Sequence, residues 1–285
     1  MKTIVIISGK GGTGKTSVTA ALSGLGPKKV IADCDVDAAD LHLVLKPQTT
    51  TAHDFYQGET ASIDPTVCTQ CGQCREHCRF GAISDDFAVR EEHCEGCGVC
   101  AFVCPVQAAT MAPAHCGWWY TSETRFGPMV HAALKIGAEN SGKLVTTVRT
   151  EGDAIAEQIG AELVLVDGSP GVGCPVIASL TGADLALIVT EPTTAAKHDF
   201  ERVLELTHHF KIPAATVINK TGINPDVEKE LENLCAKQDI VLAGRLPYDT
   251  AVADAQIHGR TICEHDPDGL GKNIQAIWNT LEKQL

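Results

Sequence analysis

"GKGGTGKTS", Gly9 to Ser17, stands directly behind the apolar run Ile4–Ile7 and ahead of the helix-like "KTSVTAALSG". Gly9, Gly14, Lys15 and Thr16 meet the spacing Gly-x4-Gly-Lys-Thr, placed after a strand and before a helix. Glycines at these positions let backbone N–H groups close round phosphate oxygens, and the start of a helix adds a favourable dipole. Gly9, Lys10, Gly11, Gly12, Thr13, Gly14, Lys15, Thr16 and Ser17 are therefore expected to cradle a nucleotide. Lys15 is suited to reach the β- and γ-phosphates, and the Thr16 hydroxyl to hold Mg²⁺. The alternative is a glycine turn that binds nothing.

Working outward, "KTIVIIS", the glycine loop, "KTSVTAALSG" and "KKVIADCD" read as strand, loop, helix, strand. From Lys143 the alternation resumes with a strand "KLVTTVR", a helix "TEGDAIAEQIG" and the strands "ELVLVDG" and "DLALIVTEPT". A helix around "HDFERVLELTHHF", with Phe200, Val203 and Leu204 on one face, and the strand "AATVINK" follow. This pattern predicts an α/β fold with a mostly parallel, doubly wound sheet. The segment "HCGWWYTSETRFGPMVHAALKIGAENSG" receives no assignment. The last helix, "NIQAIWNTLEKQL", carries few cations and is expected to pack on the sheet rather than lie on a membrane.

The stretch 61–112 differs from its flanks: its loops are short, and it holds eight of the thirteen cysteines. It is expected to be an inserted domain, with 1–60 plus 113–285 forming the larger one. Cys-x2-Cys-x2-Cys-x3-Cys occurs twice, Cys68, Cys71, Cys74 and Cys78 recurring 26 residues later as Cys94, Cys97, Cys100 and Cys104. The insert is thus an internal duplication. The spacing is that of bacterial two-cluster ferredoxins, in which the fourth cysteine of each run serves the other cluster. One [4Fe-4S] cluster would take Cys68, Cys71, Cys74 and Cys104, the other Cys94, Cys97, Cys100 and Cys78. Zinc is the alternative for four thiolates, although structural zinc favours separated Cys-x2-Cys pairs. Pro105 follows Cys104 as in ferredoxins, whereas Arg79 follows Cys78.

With 285 residues, 44% of them apolar, the chain can fill a real core. A net charge of −13 without long Lys or Arg runs argues against a nucleic-acid partner. No apolar run approaches the roughly 20 residues of a membrane span, and the N-terminus reads as a strand, so a cytoplasmic protein is expected. Clustered cysteines then indicate metal rather than disulfides.

With its second lysine, "KGGTGKT" resembles the deviant Walker A ATPases of the SIMIBI class, among them MinD, ParA, Mrp and the nitrogenase iron protein. The resemblance implies that Lys10 reaches across a nucleotide-sandwich homodimer to the partner's phosphates. "DCDVDAADLHL" is similar to that family's switch I, so Asp35 would position the attacking water and help hold Mg²⁺, with Asp37 a weaker candidate against ordinary capping. "LVLVDGSPGVG" looks like its switch II: Asp167 would hold Mg²⁺ and Gly171 would sense the γ-phosphate. Asn219 would read the base, and Pro247 and Asp249 belong to the stretch that closes over adenine. Cys174 stands seven residues after Asp167, where the nitrogenase iron protein places a ligand of a bridging cluster; the alternative is a packed thiol. Nearly the whole chain resembles MinD/Mrp-type ATPases carrying an inserted two-cluster ferredoxin-like α+β domain. That resemblance implies ATP/ADP, Mg²⁺ and two [4Fe-4S] clusters as cofactors. It implies an ATPase whose dimer closure controls electron transfer to a partner metalloprotein. An iron–sulfur or metal-cofactor assembly ATPase and a MinD-like redox-sensing scaffold are the alternatives.

Overall fold

The computed structural model describes the whole chain except residue 136 and residues 139–141. In chain order it forms β1 (Lys2–Ser8), α1 (Lys15–Ser23), β2 (Lys29–Asp33), α2 (Leu41–Leu45), β3 (Thr49–Ile63), α3 (Gln73–His77), α4 (Val99–Val103), β4 (Ala109–Thr124) and β5 (Gly127–Leu134). It continues with α5 (Lys143–Ile159), β6 (Leu163–Pro170), α6 (Cys174–Leu180), β7 (Leu185–Thr190), α7 (Thr194–His209), β8 (Ala214–Thr221) and α8 (Pro225–Lys237). The last elements are β9 (Val241–Pro247), α9 (Ala251–Ile257), α10 (Ile262–His265) and α11 (Leu270–Leu281). Two compact units result, one of residues 1–52, 119–133 and 140–285, the other of 53–118 and 134–139. The long strands β3 and β4 carry the chain across the boundary, which places the edges of the second unit outside 61 and 112.

The strands order as β3-β4-β5-β2-β6-β1-β7-β8-β9. From β5 to β9 every neighbouring pair is parallel. Ile4, Val5, Ile6 and Ile7 of the central strand are all fully buried, the continuous apolar run of a parallel strand covered on both faces. The chain leaves β1 toward β2 on one side, while β7 pairs on the other. A crevice therefore opens at the carboxyl end of β1, where ligands of such sheets bind.

Two readings of the sequence change. "KLVTTVR" is not a strand but the first two turns of α5, a single helix of 17 residues. Its β-branched run suggests a strand, yet Leu144, Val145, Val148, Arg149, Gly152 and Ala156 are buried at helical spacing, and tertiary burial overrides local propensity. The unassigned segment forms the ends of a hairpin, β4 and β5, joined through Arg125 and Phe126. In α11, Ile274, Ile277, Trp278 and Leu281 join the core under β9, as the amphipathic pattern predicts.

In the second unit the duplication is visible in the backbone. Helices α3 and α4 occupy equivalent positions in the two repeats; each starts from a left-handed glycine, Gly72 or Gly98, and ends at an extended cysteine, Cys78 or Cys104. Left-handed residues recur in register as well, Gln70 with Gly96 and Gly81 with Gln107.

Candidate functional site

The first centre grows from the turn between β1 and α1. Gly14 has φ 90° at the helix start, a conformation costly for any residue with a Cβ, and a side chain there would overlap the Asn219 amide. From the end of β8, Asn219 Nδ2 donates to Thr13 O at 2.7 Å and Lys220 Nζ to Gly12 O at 2.6 Å. These two bonds fix the loop's carbonyls and leave its N–H side to a ligand.

Lys15 lies buried at the centre, its Nζ 2.8 Å from Asp167 Oδ1, 3.2 Å from Asp35 Oδ2 and 3.4 Å from Thr16 Oγ1. Burial works against its charge, but Asp167, Asp35 and Asp33 outweigh that effect and raise its pKa. Thr19 Oγ1 also donates to Asp167 Oδ1, at 2.9 Å. Behind this pair sits Asp33, fully buried, accepting from the N–H groups of Asp35 at 3.1 Å and Leu41 at 3.3 Å. Burial and the neighbouring Asp167 push its carboxyl well above the usual range, and burial pushes Asp35 up as well. Three carboxylates thus face one ammonium, an imbalance that a divalent cation would relieve. Two buried atoms point to a ligand as well: Thr13 Oγ1 and Asp167 Oδ2 have no hydrogen-bond partner among the described residues.

Asp33 is a site residue that the sequence motifs do not single out. The alternation in "DCDVD" holds the signal: along an extended chain Asp33 and Asp35 project to one side. Asp37, the weaker candidate, is exposed. Cys34 between them ties the two switch-like segments together, its N–H donating to Asp167 O at 2.8 Å and its carbonyl accepting from Ser169 Oγ at 2.7 Å. Gly171 has φ 92°, and its N–H donates to Ser8 O at 2.8 Å.

Beside the loop a cavity of about 330 Å³ is lined by Ser17, Val18, Asn219, Pro247, Val252 and further apolar side chains. Ser17, Asn219 and Pro247 are thus brought together. Asp249 stands apart from these lining residues and accepts from Ala251 N at 2.8 Å, at the start of α9. Lys10 turns to Glu191, with Nζ 2.6 Å from Oε1.

The second centre is in the other unit. Cys68, Cys71, Cys74 and Cys104 line one cavity of about 300 Å³. Cys94, Cys97, Cys100 and Cys78 line another of about 350 Å³. Each set takes three thiols from one repeat and the last thiol from the other. Backbone N–H groups point at the sulfurs: Gln70 to Cys68 Sγ and Ala61 to Cys94 Sγ at 3.4 Å each, and Ala108 to Cys104 Sγ at 3.2 Å. Among the described residues no three His, Cys, Asp or Glu side chains converge on a single-ion site. The thiols instead line two separate pockets, four to each. Cys174, at the first turn of α6, is exposed and not a packed thiol.

Residues 4–262 match the family described as the CobQ/CobB/MinD/ParA nucleotide binding domain. The chain belongs to this family. An uncharacterised protein of Methanocaldococcus jannaschii, MJ0578, is 36% identical over 224 residues, 78% of this chain and 79% of its own length. Pyruvate synthase subunit PorD of Methanothermobacter marburgensis is 37% identical over 49 residues, 17% of this chain and 60% of its own. Among solved structures, the septum site-determining protein MinD of Pyrococcus horikoshii, complexed with Mg-ADP, superposes with a TM-score of 0.57 at 18% identity, covering 99% of this chain and 95% of that one. The family match thus begins in β1 and ends in α10, bracketing the second unit. No helix among the described residues is long and apolar enough to cross a membrane.

Proposed function

We propose that the protein is a Mg²⁺-dependent ATPase whose nucleotide-driven dimer closure controls electron transfer between two [4Fe-4S] clusters and a partner metalloprotein. One observation carries the reading: a single chain combines a phosphate loop set over a charge-imbalanced Lys15–Asp35–Asp167 cluster with two cavities of four thiols each. At the loop, Lys15 is held charged for the β- and γ-phosphates, while Thr16, Asp35 and Asp167 would hold Mg²⁺. The metal would neutralise charge on the phosphates, and the chain's residues do the positioning on which phosphoryl transfer depends. Asp35 orients the attacking water from the edge of the cluster. Gly171 would exchange its bond to Ser8 O for a γ-phosphate contact, and that exchange distinguishes the ATP state from the ADP state. The apolar cavity beside Ser17, Asn219 and Pro247 supplies a slot for adenine.

Thiolate ligands suit iron, and backbone N–H groups aimed at sulfur tune the potential of a bound cluster. Each cluster would supply single-electron storage. The 49-residue likeness to a subunit of pyruvate synthase supports a module that works beside a larger enzyme. Anaerobic protein reduced with dithionite should pass electrons to an acceptor protein at different rates with Mg-ATP, Mg-ADP and no nucleotide. Equal rates in all three would overturn the coupling. A second reading, cofactor assembly, draws on the exposure of Cys71 and Cys97, which opens each cavity to an acceptor. Transfer of labelled iron to an apo-acceptor would favour it, and full retention of the label would remove it.

A further inference from the structure

Glu191 follows β7 directly, and its carboxylate, mostly buried, receives two ammonium groups, one on each oxygen. Lys10 Nζ lies 2.6 Å from Oε1 and 3.4 Å from the hydroxyl of Thr193, the residue that caps α7. Lys220 Nζ lies 2.8 Å from Oε2 and also donates to Gly12 O at 2.6 Å. A family reading gives Lys10 a destination outside its own chain, yet here it has a partner at home. We infer that Glu191 is a positioning residue that keeps Lys10 withdrawn until a second copy presents nucleotide phosphates, with Lys220 as the counter-ion that permits its release. The inference rests on the proposed dimeric ATPase and names what regulates its closure.

The charges explain why two lysines are needed. Removing the sole partner of a buried carboxylate strands an uncompensated charge, which is strongly unfavourable. With Lys220 remaining on Oε2, Lys10 can leave and Glu191 stays paired. Burial works against the Glu191 charge, but hydrogen bonds from Lys10 and Lys220 prevail and hold its pKa low, so the restraint persists throughout the neutral range. Lys10 is the more exposed of the bonded pair, its side chain 32% accessible against 10% for Glu191, and is therefore the member placed to depart. A triphosphate is the anion able to compete for it.

The test measures self-association by analytical ultracentrifugation with Mg-AMPPNP, alongside AMPPNP affinity by calorimetry. Glu191→Gln should lower the midpoint concentration for dimerisation about tenfold, roughly threefold for each of two partly exposed ion pairs released. Its affinity for AMPPNP in the monomer should change far less, a split that a general loss of structure would not give. Lys220→Gln should move the midpoint the other way. Adding Lys10→Ala to Glu191→Gln should abolish the gain. An unchanged midpoint in Glu191→Gln, or a gain that survives Lys10→Ala, overturns the role of Glu191. If neither the native protein nor Glu191→Gln associates at any concentration, the dimer reading falls and takes this inference with it. Should Glu191→Gln fold poorly, Glu191→Asp, which keeps the charge but shortens the reach, is expected to lie between it and the native protein, and a native midpoint there would count against the role.

Discussion

The two units are built on opposite principles. Around the phosphate loop, Ile4, Ile6, Leu22, Leu163, Leu165, Leu187 and Ile277 are all within 1% of complete burial, in one apolar mass covered by helices. In the cysteine unit the buried apolar set is small: Phe55, Ala61, Cys74, Ala82, Ile83, Ala108 and Ala109, mostly alanine. A segment with so little apolar surface to bury cannot offset its conformational entropy by packing alone. The difference teaches that the nucleotide unit owes its shape to its core, whereas the other, on the function proposed above, would owe it to the clusters its thiols bind.

The largest effect should come from attacking that dependence. Cys74→Ser, at the most buried of the eight thiols, is expected to make residues 53–118 protease-sensitive and to cut iron content by about half or more, while nucleotide affinity stays within about twofold. Retention of protease resistance by the anaerobic variant would erase the contrast between the units. Next in size, Lys15→Met should reduce ATP hydrolysis by about 10²- to 10³-fold by removing a preorganised cation from the phosphates. Iron content should not move, and a loss of iron would show that the units fold together.

A smaller effect concerns pH. The carboxyl of Asp33 is raised by burial and by Asp167, so its contribution to stability is complete below the ordinary carboxylate range and is lost as the pH climbs through the raised value. Without Mg²⁺, Asp33→Asn should therefore gain stability relative to the native protein as the pH rises from the ordinary carboxylate range toward the raised value, because the unfolded carboxyl ionises there while the buried one keeps its proton. Thermal melts across that range measure the difference, and Mg-ADP should shrink it. A constant difference would mean that Asp33 holds its proton equally well in the folded and unfolded chain. Smallest is Glu264→Gln. Hydrogen bonds from Arg125 at 2.7 and 2.8 Å lower the Glu264 pKa to about 2, so the pair stabilises above the usual carboxylate range and fades as the pH falls toward that value. Both side chains are about a third exposed, and the loss should be about 1 kcal/mol, weakened further by salt. A melt unchanged by the substitution at low salt would show that the apolar mass alone holds this corner.

Much of this is legible in the sequence. "GKGGTGKTS" announces its conformation because only glycine fits the backbone where Gly14 meets Asn219, and the cysteine spacing repeats with its register intact. What escaped did so for physical reasons. The "VTTV" of α5 has strand-like residues, and its helical identity emerges only from what they are buried against. Asp33 is hard to read from sequence because a carboxylate inside a strand looks like an interruption until Lys15 and Asp167 are brought beside it. Glu191 carried no signal at all, since its partners Lys10 and Lys220 lie 181 and 29 positions away in the chain. The place of Asp249, whose carboxylate accepts from Ala251 N, likewise depends on how β9 ends.

The swap of final cysteines between the two repeats has a historical consequence. Neither copy of the duplicated stretch is self-sufficient, because deleting or blunting one would remove lining thiols from both cavities at once. Lineages can therefore discard the pair together or keep it whole, and decay of a single half should be rarer among descendants than either.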